Sequence, residues 1–170
     1  MSRYFSFLTA VLLLAACSGQ GYTKAPIMAP DRSKQHKISS CPFWNDTFVG
    51  QSTKRTIKLH MGLDRKGAML MEDVGVDHWV VDGQGHNSGN NRFHSYVAYC
   101  APSTSTDGAP APLVGTGNLT IEGYDSSGQK TFTILFAPLA DGSGFQYSHV
   151  DGTGTALEAP DTFTKLAPSK

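Results

Sequence analysis

From Thr56 onward the chain repeats a two-residue rhythm. Ile57, Leu59, Met61 and Leu63 fall on one face of Thr56–Leu63, and Thr56, Lys58, His60 and Gly62 fall on the other. That is the alternation of a half-buried strand. Asp64–Gly67 reads as a turn, and Ala68–Val74 as the returning strand. His78–Asp82 sets Trp79 and Val81 on one side. Gly83, Gly85 and Gly89, with several Asn residues, then break the pattern, and the span from Gly83 to Arg92 reads as a rim loop. Phe93–Cys100 resumes it, with Phe93, Val97 and Tyr99 together. Ala101–Pro112 carries three prolines among Ser and Thr and reads as a loop. Leu119 and Ile121 alternate with Thr120 and Glu122, Tyr124–Gly128 turns the chain, and Thr131–Phe136 puts Phe132, Ile134 and Phe136 on one face. After a turn at Asp141–Gly144, Phe145, Tyr147 and His149 share a face. Asp151–Pro160 is irregular, and a short strand fits Thr162–Leu166. The chain shows no amphipathic helix of ordinary length and no internal repeat.

Short strands joined by tight turns predict an all-β fold, an antiparallel up-and-down meander of about eight strands. Closure into a small barrel removes exposed edges and is preferred over the alternative, a β-sandwich. The core is expected to hold Ile57, Leu59, Trp79, Val81, Phe132 and Ile134.

Composition agrees with many strands and turns, with 18 glycines among 170 residues. Lys plus Arg and Asp plus Glu each number 14, a net charge of zero. Nucleic-acid partners call for a basic excess, so none is expected.

The N-terminus changes the picture. Arg3 precedes Leu8–Ala16, a run without charge. It is shorter than the ~20 apolar residues that a spanning helix needs, but has the length of a signal-peptide core. Leu14-Ala15-Ala16-Cys17 resembles the lipobox of bacterial lipoproteins. The resemblance implies a signal peptide over 1–16, cleavage before Cys17, a diacylglycerol thioether on Cys17, and a further acyl chain, of the palmitate class, on its new amino group. Several chains give durable anchoring. In such lipoproteins the residue after the cysteine influences sorting; Ser18 favours the outer membrane, facing the periplasm. Residues 17–40 read as a lipidated flexible tether, mildly basic through Lys24, Arg32, Lys34, His36 and Lys37, and 41–170 as a single β-barrel domain. Export places Cys41 and Cys100 in an oxidising space, where a remaining even pair closes into a disulfide. The segment Gly67–Gly83, with Asp77-His78-Trp79-Val80-Val81-Asp82-Gly83 and its turn, is loosely similar to small lipocalin-like (calycin) barrels. Their opening Gly-x-Trp is absent, since Trp44 precedes Gly50, and no binding residue is carried over from them.

Catalytic signatures are missing. The chain has no GxSxG elbow, no HExxH and no P-loop. Gly83-Gln84-Gly85-His86 lacks the third glycine and the helix of a dinucleotide loop. No cofactor is expected. His78, His86 and His94 lie near Asp77 and Asp82, and imidazole with carboxylate can hold zinc or copper. His78 and Asp82 are about 13 Å apart along an extended strand and cannot share an ion. His86 and His94 are the weak metal candidates if the Asn-rich segment closes a hairpin. Trp79, Phe93, Phe132, Phe136, Phe145 and Tyr147 either fill the core or line a cavity for an apolar ligand. The expectation is therefore a membrane-anchored envelope lipoprotein whose barrel is a non-catalytic binding or interaction module. Its candidate contact residues are Trp79, His86 and His94, and its partner a small apolar ligand or an envelope protein. The alternatives are a periplasmic metal-binding lipoprotein and an envelope hydrolase with loop-borne Asp and His. Lipidation is checked by intact mass of the membrane-extracted protein. Acyl chains should sit on a mature N-terminal Cys17, and Cys17→Ser should release the protein from the membrane or leave it uncleaved.

Overall fold

The structure is a computed structural model and describes residues 26–35, 41–42, 44–63, 69–73, 77–89, 92–101 and 117–167. Among the described residues, ten strands form one sheet. They are β1 Asn45–Gly50, β2 Thr56–Leu63, β3 Met69–Asp73, β4 Asp77–Val80, β5 Gly85–Asn87, β6 Ser95–Ala101, β7 Asn118–Tyr124, β8 Lys130–Pro138, β9 Gly144–Asp151 and β10 Ala156–Lys165. Their order is β4-β3-β2-β1-β10-β9-β8-β7-β6-β5, with every neighbouring pair antiparallel. First and last strands pair, Phe48 opposite Lys165 and Gly50 opposite Phe163. The two edges, β4 and β5, are consecutive in the chain. This is the all-β antiparallel meander, in one sheet rather than the two of a sandwich, curled into an open half-barrel. Its seam lies between β4 and β5. There a single parallel bridge joins Val81 to Ala98. Gly83 N–H donates to the Ala98 carbonyl (2.9 Å) and Val80 N–H to the Tyr96 hydroxyl (3.1 Å).

The hydrophobic period finds eight strands and misses β1 and β5, for reasons visible in their residues. β1 begins with the polar run Asn45-Asp46-Thr47, and β5 has no large apolar residue. β2 follows the pattern closely, with Ile57, Leu59 and Met61 buried; Leu63, at the strand end, is exposed. Asp151–Pro160 differs from expectation: after a turn it continues as β10, whose register against β9 shifts twice, between Ala156 and Glu158 and between Glu158 and Asp161. Those irregularities erase the alternation. Asp161 then anchors the turn after β1. Its buried carboxylate accepts from Ser52 N–H (3.0 Å), Thr53 N–H (3.0 Å), Thr53 O–H (2.6 Å) and Thr162 N–H (2.8 Å). The Thr53 hydroxyl leads the backbone donors in holding its pKa well below the usual range. The turn expected at Asp64–Gly67 lies outside the described residues.

The interior is aromatic. Phe145 is fully buried, with ring centroids 5.0 Å from Trp44, 5.0 Å from Phe48, 5.3 Å from Phe136 and 5.3 Å from Phe163. Ile57, Leu59, Trp79 and Val81 belong to this core, while Phe132 and Ile134 are only partly buried and pack at its margin. Val97 faces outward, correcting its placement beside Phe93. It forms a second cluster with Ala29 and Tyr124, against which Tyr99 packs, whereas Phe93 packs on the main core. The cover is residues 26–35, inside the span read as a tether. They lie docked along the outer face as a strap. Met28 and Ala29 N–H donate to Ser95 Oγ (3.2 and 2.9 Å), His94 Nε2 to the Pro26 carbonyl (2.7 Å), and Arg32 N–H to the Gly83 carbonyl. Arg32 Nε also reaches Glu122 Oε2 (3.4 Å).

Cys41 and Cys100 form a disulfide, both fully buried, with Cα atoms 5.1 Å apart. It closes a loop of sequence separation 59, for which chain entropy predicts about 4 kcal/mol of stabilisation. The burial differences set an order of mutational effects. Phe145→Ala should cost about 3–5 kcal/mol, the range for a fully buried ring. Phe132→Ala should cost clearly less. Urea denaturation midpoints at constant m-value check that ranking.

Candidate functional site

At the seam, the two sheet edges bring together residues from one stretch of the chain, between Asp77 and Tyr96. A pocket of about 340 Å³ is lined by Asp77, His78 and Trp79 of β4, Asn87 of β5, Gly89, Phe93 and Tyr96 of β6. Trp79 and Phe93 stack at 5.6 Å with planes 20° apart. Tyr96 stands edge-on to both, 5.0 Å from Trp79 and 6.3 Å from Phe93. Such edge-to-face and offset pairs are favourable beyond simple burial and hold the rings rigid. The Tyr96 hydroxyl accepts from Val80 N–H, so one side chain both walls the pocket and ties the seam. Burial raises its pKa. The Asn87 side-chain oxygen is buried in this wall without a hydrogen-bond partner.

The residues singled out from sequence are placed differently from one another. Trp79 lines the pocket. His86 stacks on Tyr96 at 5.4 Å, with Nε2 2.9 Å from Asp82 Oδ1. His94 is bonded to the strap at Pro26. The two histidines are thus committed to different partners and are not brought together. Among the described residues, no three His, Cys, Asp or Glu side chains converge to hold a metal ion. Gly85–Asn87, expected in a loop, is the paired edge strand β5. Cys17 lies outside the described residues. Tyr96 was hidden from sequence reading because the assumed register of β6 turned Val97 and Tyr99 inward.

A second constellation also escapes the sequence pattern, since Glu158 falls in the stretch read as irregular. Its Oε1 accepts from the Tyr147 hydroxyl (2.6 Å) and lies 2.9 Å from His149 Nδ1; its Oε2 pairs with Arg55 Nη1 (3.1 Å). The Arg55 guanidinium covers the Tyr147 and Phe163 rings at 4.9 and 5.4 Å. Partial burial works against ionisation of Glu158, but the Tyr147 and His149 hydrogen bonds and the Arg55 charge outweigh it and hold its pKa low. Burial, then donation to Glu158, pushes Tyr147 well above its ordinary value. A carboxylate that orients an imidazole is half of an acid–base relay. The other half is not assembled, because His149 Nε2 is buried without a hydrogen-bond partner, its ring edge-on to Phe132 at 5.6 Å.

A groove of about 300 Å³ runs beside β8–β10 and is lined by Gln51, Ser52, Gln146, Ser148 and Thr162 among others. Among the described residues, Asp161 is the only charged one lining it, and its oxygens are already engaged by the 52–53 turn and Thr162. The seam pocket, with rigid aromatic walls, is the better candidate site.

No protein-family model, curated protein or solved structure matches this chain.

The Glu158 network makes stability depend on acid. Its pKa is lower folded than unfolded, so the stabilisation is complete above the ordinary value of 4.5 and is lost as pH falls through the folded value. Between those two values the unfolded chain binds more protons, and stability rises with pH. Glu158→Gln should flatten that slope. Urea midpoints measured from pH 6 down to 3 check it.

Proposed function

We propose that this chain is a membrane-anchored envelope lipoprotein, held at the outer membrane through Cys17 and facing the periplasm, whose β domain is a non-catalytic binding module. The observation that carries the binding reading is the pocket of about 340 Å³ at the β4–β5 seam, walled by Trp79, Phe93 and Tyr96. Its place in the fold supports it. Elsewhere the sheet is sealed by continuous ladders, while here one bridge leaves room between strands. A rigid aromatic wall loses little conformational entropy on binding and favours an apolar ligand, or the apolar part of a larger one. Asp77, His78 and Asn87 at its margin supply polar contacts that orient the ligand. The anchor reading is supported by Leu14-Ala15-Ala16-Cys17 and is compatible with the Cys41–Cys100 disulfide.

Gly89 gives a clean test. It lines the pocket, and a Cβ added there meets nothing within 4 Å. Gly89→Leu should therefore add bulk at the pocket mouth without disturbing the wall. Binding is read by titrating anilinonaphthalene sulfonate into the lipidated protein in detergent micelles, with a micelle-only blank. The parent should show saturable binding, weakened about tenfold or more in Gly89→Leu at an unchanged melting temperature. A tenfold loss corresponds to about 1.4 kcal/mol. Equal affinity in the two proteins removes the pocket as the site.

A further inference from the structure

We infer that the docked strap turns the pocket end of the domain toward the membrane, so that the seam pocket opens at the lipid head-group surface. The inference rests on lipidation at Cys17, as proposed above. The strap enters the fold at a fixed point. Pro26 is held by His94, the residue after the pocket-lining Phe93. The next residues stay on the surface, with Ala29 buried and its N–H on Ser95 Oγ. The fit depends on two glycines. A Cβ at Gly85 would lie 2.6 Å from Ile27 Cγ2 and 2.7 Å from the Ala29 carbonyl oxygen, and one at Gly83 would lie 2.7 Å from Ser33 Cα.

Only nine peptide steps separate Cys17 from Pro26. Fully extended, nine steps reach at most about 32 Å. The nine residues of β8 span about 30 Å. The leash is thus at most about as long as β8, and it attaches at one end. That end carries Phe93, the β7–β8 turn at 125–129 and the exposed Ile27, which is 46% accessible beside the entry point. The β8–β9 turn at 139–143 lies at the opposite end of the strands. A tether of 24 free residues, as the sequence pattern suggests, would let the domain turn in any direction. Docking of 26–35 removes that freedom.

Ser126 and Ala140 are exposed turn residues at the two ends. Ser126→Cys and Ala140→Cys, with Cys17 acylated and Cys41–Cys100 closed, each offer one thiol for a donor fluorophore. The proteins are reconstituted into phosphatidylethanolamine–phosphatidylglycerol vesicles bearing a head-group acceptor dye, and intact mass is read first. In acylated protein, energy transfer should be at least about twofold higher from position 126 than from 140. Ala29→Asp, which places a charge under the strap, should reduce the contrast while leaving circular dichroism unchanged. Equal transfer from both ends overturns the orientation and leaves the anchor standing. A contrast that survives Ala29→Asp overturns the strap as its cause. Absence of acyl chains on Cys17 overturns the anchor reading, and the orientation with it.

Discussion

A curled sheet must dispose of its edges, and that constraint organises this molecule. Nine of the ten gaps around the curl are filled by antiparallel ladders, including the one between first and last strands. The tenth is the seam, where the open edges of β4 and β5 would leave backbone groups unpaired across a gap. The chain satisfies them piecemeal, through the Val81–Ala98 bridge, the Gly83 amide on Ala98, and the Tyr96 hydroxyl on Val80. Gly83 permits this with φ of 73°, a left-handed conformation, and with no side chain where the strap passes. The pocket and the strap both exist because the seam is not a ladder.

The turns on the other side of the sheet are fastened in a common way. Asp125, Asp141 and Asp151 each accept the backbone N–H two residues on, from Ser127, Ser143 and Thr153. The side chains of those same residues lead the donors that hold all three carboxylates below their usual pKa. Repetition of one turn chemistry gives β7 to β10 a regular hairpin succession. On the strap face the fastening differs: Glu122 of β7 is buried and is served by Arg32 of the strap, Lys130, and the Tyr124 hydroxyl. Burial, then donation to Glu122, raises Tyr124 to about 12.

What could be read from the residues follows from how many faces each strand buries. β2 is half-buried, so its period of two is plain and its boundaries at Thr56 and Leu63 are legible. β6 is buried on both faces, Ala98 and Cys100 inward and Val97 under Ala29. Alternation then carries no direction, and the inward set cannot be chosen without knowing that the strap exists. β10 was obscured by its two register shifts. The disulfide partners were legible once Cys17 was set aside, because only Cys41 and Cys100 then remain. The convergence of Trp79, Phe93 and Tyr96 was not, because it depends on which face of β6 turns inward and on where two sheet edges meet, neither of which alternation reveals.

The Cys41–Cys100 disulfide has a mechanical consequence. Tension applied between the N-terminal side of the domain and its C-terminus enters at Cys41, crosses the sulfur–sulfur bond and continues from Cys100 toward β7. Residues 42–99, which hold β1 to β5 and most of β6, lie outside that covalent load path. A tug on the chain ends therefore reaches β1 to β5 only through non-covalent contacts, those of the strap with Gly83 and Ser95 and those of β10 with β1, and the closed disulfide keeps those strands from being drawn out along the chain.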